Sequence, residues 1–168
     1  MSWKNTKRWE KIVERTDWQK RSKDIASYIQ PNSVVLEFGC YDQSLKTYLP
    51  EGCRYIGSDL YARGEDTLVC DLDAEELADF PVADVAVFAG VLEYVKNVGK
   101  VLDRLTTEQI VCTYALRPPF PYHTKRNEFE RLFTERGYKL ETFTNGTSRT
   151  SYNSPEWHLW HWRKDDTS

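Results

Sequence analysis

A single methionine, no Cys-x-x-Cys pair and no apolar run longer than Val85–Leu92 mark what this 168-residue chain lacks. A membrane-spanning helix takes roughly 20 consecutive apolar residues, so Val85–Leu92 excludes one by length. The four cysteines (Cys40, Cys53, Cys70 and Cys112) lack the spacing of a zinc or dithiol site. Three of them lie within or beside apolar stretches, where a reduced cysteine behaves as a small hydrophobe. Positive charge is not in excess either: 23 Lys and Arg face 26 Asp and Glu, a net −3, so no overall basic field draws in nucleic acid. The first residues, Met1-Ser-Trp-Lys-Asn-Thr-Lys-Arg-Trp9, carry no secretory apolar stretch. Together with reduced cysteines this makes a cytoplasmic location the expectation, and there the sequon Asn145-Gly146-Thr147 has no meaning.

What the chain has in quantity is aromatic surface, with 10 Tyr, 7 Phe and 6 Trp. Such side chains let a short chain fill a core or wall a pocket for a flat ligand. Residues 3–29 have helical spacing in two stripes: Trp9, Ile12, Val13 and Thr16, then Trp18, Ser22, Ile25, Ala26 and Ile29. Thr16-Asp17 supplies a cap for the second, and the interspersed Lys and Arg read as a solvated face. Pro31-Asn32 ends this region. Val34–Gly39 is then short and almost continuously apolar, as a buried parallel strand is. A short helix is expected over Asp42–Leu49, stopped by Pro50, and another over residues 73–80. Further strands are expected at Arg54–Asp59, Thr67–Asp71, Asp84–Gly90 and Gln109–Ala115, with helical spacing at Val98–Leu105. Residues 117–126 hold three prolines in their first five positions and exclude regular structure. Asn127–Arg136 reads as an amphipathic helix with Phe129, Leu132 and Phe133 inward, closed by Gly137. Tyr138–Phe143 and Leu159–Arg163 then pair across a polar loop, residues 144–156. Strands alternating with helices make an α/β fold with a largely parallel sheet. The organisation expected is one domain over residues 1–168, with N-terminal helices in 1–30 and an α/β core in 32–163.

In such sheets ligands bind beyond the carboxyl ends of the strands, where the strand order reverses. Those ends carry Glu37-Phe38-Gly39, Asp59, Asp71 and Ala89-Gly90. Glycine lets a ligand approach the backbone closely. A carboxylate accepts both hydrogens of a ribose diol, and a further one accepts from an adenine amine. The pattern asks for an adenosine moiety. A pyrophosphate needs Gly-x-Gly-x-x-Gly, and Gly39-Cys-Tyr-Asp-Gln-Ser44 has one glycine and an acid at the helix start. A sulfonium cation without phosphates suits this loop better.

On these residues the sequence resembles the class I S-adenosylmethionine-dependent methyltransferases. Val34–Cys40 is similar to their first motif, Tyr55–Leu60 to their second, and Asp84–Val95 to their fourth-strand motif, where Leu-Glu-His-Val is more usual. The resemblance spans residues 32 to about 140 and implies a three-layer, seven-strand sheet with a final antiparallel strand, in the order 3-2-1-4-5-7-6. It implies S-adenosylmethionine as cofactor. Glu37 and Gly39 would border its methionine end, and Asp59 would hold its ribose. Leu60 and Leu72 would flank the adenine, with Asp71 near the amine and Gly90 near the methyl. The chain departs from the pattern at Tyr41 and Gln43, where the family has glycine, and in lacking the helix between strands two and three. The function expected is methyl transfer to a small polar acceptor, a sugar or other hydroxylated metabolite. The alternative is a non-catalytic binding module whose old site is filled by Tyr41 and Gln43. If the acceptor must lose a proton, the candidate bases are Glu93, Tyr94, Tyr122 and His123. His123 is preferred over Glu93 because imidazole titrates near neutrality. The six residues 157–162 hold His158, His161 and three Trp; alternation of Trp160 and Trp162 on one strand face favours packing over metal binding.

Overall fold

The computed structural model describes residues 10–11, 16–116, 122, 124–147 and 157–165. Seven strands form one sheet: β1 (Val34–Phe38), β2 (Arg54–Asp59), β3 (Leu68–Val69), β4 (Val85–Ala89), β5 (Gln109–Ala115), β6 (Tyr138–Thr147) and β7 (Trp157–Lys164). Their order is β3-β2-β1-β4-β5-β7-β6. Strands β1 to β5 pair in parallel, and β7 lies antiparallel to both β5 and β6. The first motif strand therefore lies inside the sheet, flanked by β2 and β4, as the resemblance implies.

The two-residue period of the strands divides the sheet into two apolar faces. Leu36, Phe38, Ala86, Phe88, Ile110, Cys112, Trp160 and Trp162 lie in one cluster with Val101 and Leu102 of α2 (Val98–Leu102) and Phe129 and Phe133 of α3 (Arg126–Thr134). Val35, Val85, Val87, Ala89, Val111 and Leu159 point the other way, onto Ile25 and Ala26 of α1 (Thr16–Ala26). Helix, sheet and helix make three layers. Aromatic rings do much of the filling on the α3 side: Phe133 stacks on Trp162 at 4.6 Å, and Tyr114 on Phe129 at 4.1 Å. No helix among the described residues is long and apolar enough to cross a membrane.

Several elements differ from expectation. Residues 73–80 form turns and bends, not a helix. Asp71 Oδ1 takes the Asp73 N–H at 2.9 Å, and the Lys100 ammonium donates to the carbonyls of Ala74 and Glu75. Those carbonyls serve a lysine from α2 in place of a helical ladder, while Leu77 is still buried. Over Asp42–Leu49 only a single 3₁₀ turn forms, Ser44–Thr47. Gln43 precedes it in the left-handed conformation (φ 56°) and Pro50 bars extension, so a full helix has no room. Helix α2 stops at Leu102, before Leu105, and β3 is reduced to two residues at the sheet edge. At the other end, β6 runs on to Thr147 and β7 begins at Trp157, so residues 144–147, expected in the loop, are strand. Glu10 and Lys11 lie in a turn, interrupting the helix expected over residues 3–29. The Trp9, Ile12 and Val13 stripe and the 117–121 proline segment lie outside the described residues, as does His123.

Candidate functional site

The chain leaves β1 toward β2 and β3, then crosses back to β4 on the other side of β1, so the strand order reverses beside β1. Strand register brings the carboxyl ends level there: Phe38 lies opposite Ser58 and Phe88, and Asp59 opposite Val69. Above these ends opens a cavity of about 950 Å³. Glu37, Gly39, Asp59 and Leu60 line it, and so do Asp71, Leu72 and Gly90. Topology thus gathers residues from four separate strand ends into one wall.

The floor is polar and tightly bonded. Glu37 is buried and accepts the Tyr55 hydroxyl at 2.5 Å. Burial pushes its carboxyl up to about 8 against the opposing pull of that hydrogen bond and of Arg21. Asp59, 8% exposed, uses both oxygens. Oδ2 accepts the Tyr41 N–H at 2.9 Å; Oδ1 accepts the Tyr61 N–H at 3.1 Å and Arg63 Nη2 at 3.0 Å. Asp71 lies exposed at the end of β3. Beside it, burial pushes the Cys70 thiol up, and at the end of β1 it takes Cys40 up to about 12, so neither is a ready nucleophile. All four cysteines are free.

The two loop positions that depart from glycine keep a glycine-like backbone. Tyr41 has φ 43° and Gln43 φ 56°, the left-handed region that costs an L side chain about 1–2 kcal/mol. The Tyr41 ring sits in the cavity wall, 5.0 Å from Trp18 and 5.2 Å from the Arg63 guanidinium, and its hydroxyl donates to the Lys11 carbonyl at 3.0 Å. The ring lines the cavity and leaves it open. Gly39 and Gly90 both have φ 69°. A Cβ on Gly39 would meet Val91 Cγ2 at 3.0 Å, and one on Gly90 would meet Arg21 Nη1 at 2.6 Å. Here glycine admits close contacts within the protein.

At the Gly90 end the cavity is walled by Trp18, Arg21, Tyr94 and Tyr122. Arg21, expected on a solvated face, is 8% exposed and stands between two indoles, 5.1 Å from the Trp18 centroid and 4.7 Å from that of Trp157. Glu93 is not in the wall. It is fully buried behind it and accepts the Trp157 indole N–H at 3.2 Å; burial raises its carboxyl to about 7. The reason is the 3₁₀ turn Leu92–Tyr94, which directs Leu92 and Glu93 inward and leaves Tyr94 on the cavity. Glu93 therefore anchors β7 to the end of β4 and does not reach an acceptor. His158 stacks on Phe143 at 5.7 Å, and buried His161 packs 5.2 Å from Tyr28. Burial lowers the His161 pKa, and no metal-binding cluster occurs among the described residues. Sequence reasoning missed Arg21 and Arg63. The only signal for Arg63 was its place four residues after Asp59.

By sequence, no family profile and no curated protein matches the chain. Its three-dimensional arrangement is that of the class I S-adenosylmethionine-dependent methyltransferase fold. It is similar to a Burkholderia thailandensis 1,6-didemethyltoxoflavin N1-methyltransferase with bound 1,6-didemethyltoxoflavin and S-adenosylhomocysteine: TM-score 0.68, 13% identity, 91% of this chain and 80% of that one. It is also similar to magnesium protoporphyrin IX methyltransferase from Synechocystis PCC 6803 with bound S-adenosylmethionine: TM-score 0.67, 13% identity, 98% and 92% of the two chains. The cyclase SpnF matches almost as well, at TM-score 0.66 and 10% identity, over 88% of this chain and 80% of that one. At these identities the likeness speaks for the fold, and the reaction has to be argued from the site.

Proposed function

We propose that the protein is an S-adenosylmethionine-dependent methyltransferase acting on a small polar acceptor, a sugar or other hydroxylated metabolite. The observation that carries this reading is the convergence of Glu37, Asp59, Asp71 and Gly90 on one cavity at the switch point of the sheet. The donor set fits the cofactor chemically. Four aspartates (Asp42, Asp59, Asp71 and Asp73) line the cavity with the protonated Glu37 against two cations, Arg21 and Lys96, a balance that suits a cation bearing hydroxyls and an amine better than a pyrophosphate. Glu37 and Gly39 would hold the amino-acid end, Asp59 the ribose, and Leu60, Leu72 and Asp71 the adenine. When bound, S-adenosylmethionine supplies a methyl group activated on sulfur.

The chain's own contribution is then to orient and to exclude water. Trp18, Tyr94 and Tyr122 give the acceptor end aromatic walls, and Arg21 gives it a cation. Holding an acceptor atom in line supplies much of the rate of such a displacement. For an acceptor that must shed a proton, His123, next in sequence to Tyr122, is our candidate base; Glu93 is too deeply buried for that part. The net charge of −3 supports a small-molecule acceptor over nucleic acid, and the free cysteines support a reducing compartment such as the cytoplasm.

One observation favours a second reading, a non-catalytic module: Asp59 already carries an arginine partner. Calorimetry decides between them. S-adenosylhomocysteine should bind the wild type, with affinity cut about 5- to 150-fold in Asp59→Ala, equivalent to roughly 1–3 kcal/mol, and less in Asp71→Ala. A screen of polar metabolites with S-adenosylmethionine, following release of S-adenosylhomocysteine, then finds the acceptor. No binding of either compound at millimolar concentration refutes the enzyme; turnover only with RNA or DNA refutes the acceptor class.

A further inference from the structure

Asp59 has more partners than a ribose-binding carboxylate can keep. A carboxylate offers about four acceptor positions, and three are taken inside the protein, by the Tyr41 and Tyr61 amides and by Arg63 Nη2. A vicinal diol needs two. The amides are backbone donors of turns whose geometry fixes them, Tyr41 with its positive φ among them. Arg63 alone of the three donors sits on a side chain that can rotate away.

The guanidinium is held in place with care. Its side chain is 2% exposed and lies between the rings of Tyr41 and Tyr61, at 5.2 and 5.4 Å. Nη1 donates to the Glu10 carbonyl at 3.1 Å, while the Tyr41 hydroxyl donates to the neighbouring Lys11 carbonyl. One arginine thus neutralises the carboxylate and ties the N-terminal segment down beside it. Its neighbours Ala62 and Gly64 to Asp66 are exposed, and two of them, Glu65 and Asp66, are acidic.

We propose that Arg63 is a displaceable counter-ion that closes the ribose end of the cavity, and that an adenosyl ligand enters by exchanging its diol for the guanidinium on Asp59, releasing the Glu10 tie. The proposal rests on the reading of Asp59 as the ribose acceptor. The ion pair exists only in the ligand-free protein, so its strength is subtracted from ligand affinity. A charge-assisted bond outweighs a neutral hydroxyl bond at the same oxygen. Removing the competitor therefore tightens binding, whereas removing an ordinary positioning residue loosens it.

The test is calorimetric titration with S-adenosylhomocysteine of wild type, Arg63→Ala, Arg63→Gln and Arg63→Lys, with thermal melts alongside. Arg63→Ala and Arg63→Gln should bind roughly tenfold more tightly than wild type. Their ligand-free melting temperatures should fall, since a buried carboxylate loses its counter-charge, and the rise on adding ligand should be larger. Arg63→Gln keeps a neutral donor and serves if the alanine variant folds poorly. Arg63→Lys, a point charge without the fork, should fall between. Equal or weaker binding in both Ala and Gln variants, with wild type binding normally, overturns the counter-ion and leaves the adenosyl site intact. Binding by neither wild type nor variants overturns both.

Discussion

Glu37→Gln should convert a protein that weakens as pH rises into one that does so far less. The carboxyl of Glu37 is buried beneath the cavity, and burial raises its pKa from the usual 4.5 to about 8. The unfolded chain releases this proton near 4.5, whereas the native protein keeps it until about 8. Between those limits the native state holds the extra proton. Its stabilisation is therefore complete below 4.5 and lost as pH climbs to about 8. At about 1.4 kcal/mol per pH unit, the whole window is on the order of 5 kcal/mol, a large share of the roughly 5–15 kcal/mol that keeps a domain folded. Glutamine retains an oxygen for the Tyr55 hydroxyl and never ionises. Urea unfolding from about pH 5 to about pH 8.5 should show wild-type stability falling and the Glu37→Gln curve markedly flatter, with the variant the more stable at the alkaline end. Glu93, whose window runs from 4.5 to about 7, adds a slope of the same sign, and Glu93→Gln should reduce it further. Parallel profiles for wild type and Glu37→Gln would refute the reasoning, because the buried carboxyl would then titrate alike in both states.

Two further outcomes concern packing. Trp160→Ala removes a fully buried indole that touches Phe129 and Phe143, both at 5.0 Å, and donates to Glu130 at 2.9 Å; the loss should be about 3–5 kcal/mol by chemical denaturation. Gly90→Ala places a methyl 2.6 Å from Arg21 Nη1 at a backbone φ of 69°, so it should destabilise by about 1–3 kcal/mol in the same assay. An unchanged midpoint would mean that Arg21 and the loop move aside freely.

Where a strand is apolar on both sides, its sequence already determined its place. Val34–Phe38, Val85–Ala89 and Gln109–Ala115 are buried nearly throughout, because a central parallel strand meets helices on both faces and tolerates little else. The acids that end β1, β2 and β3 were legible for the same reason: strands stop where polarity returns, and those ends face the switch point. Short elements were not legible. Residues 73–80 were expected to form a short helix, yet the carbonyls of Ala74 and Glu75 are taken by Lys100 from elsewhere in the chain, and local propensity is too weak to resist such a bond. Charged residues were the least legible of all. Arg21 and Arg63 look like any surface arginine in one dimension, and Glu93 looks like a base beside a catalytic loop. Only the assembled sheet put Arg21 between two indoles, Arg63 onto Asp59 and Glu93 behind the wall, because a charge buries only where distant parts of the chain converge to pair it, bond it or strip it of water.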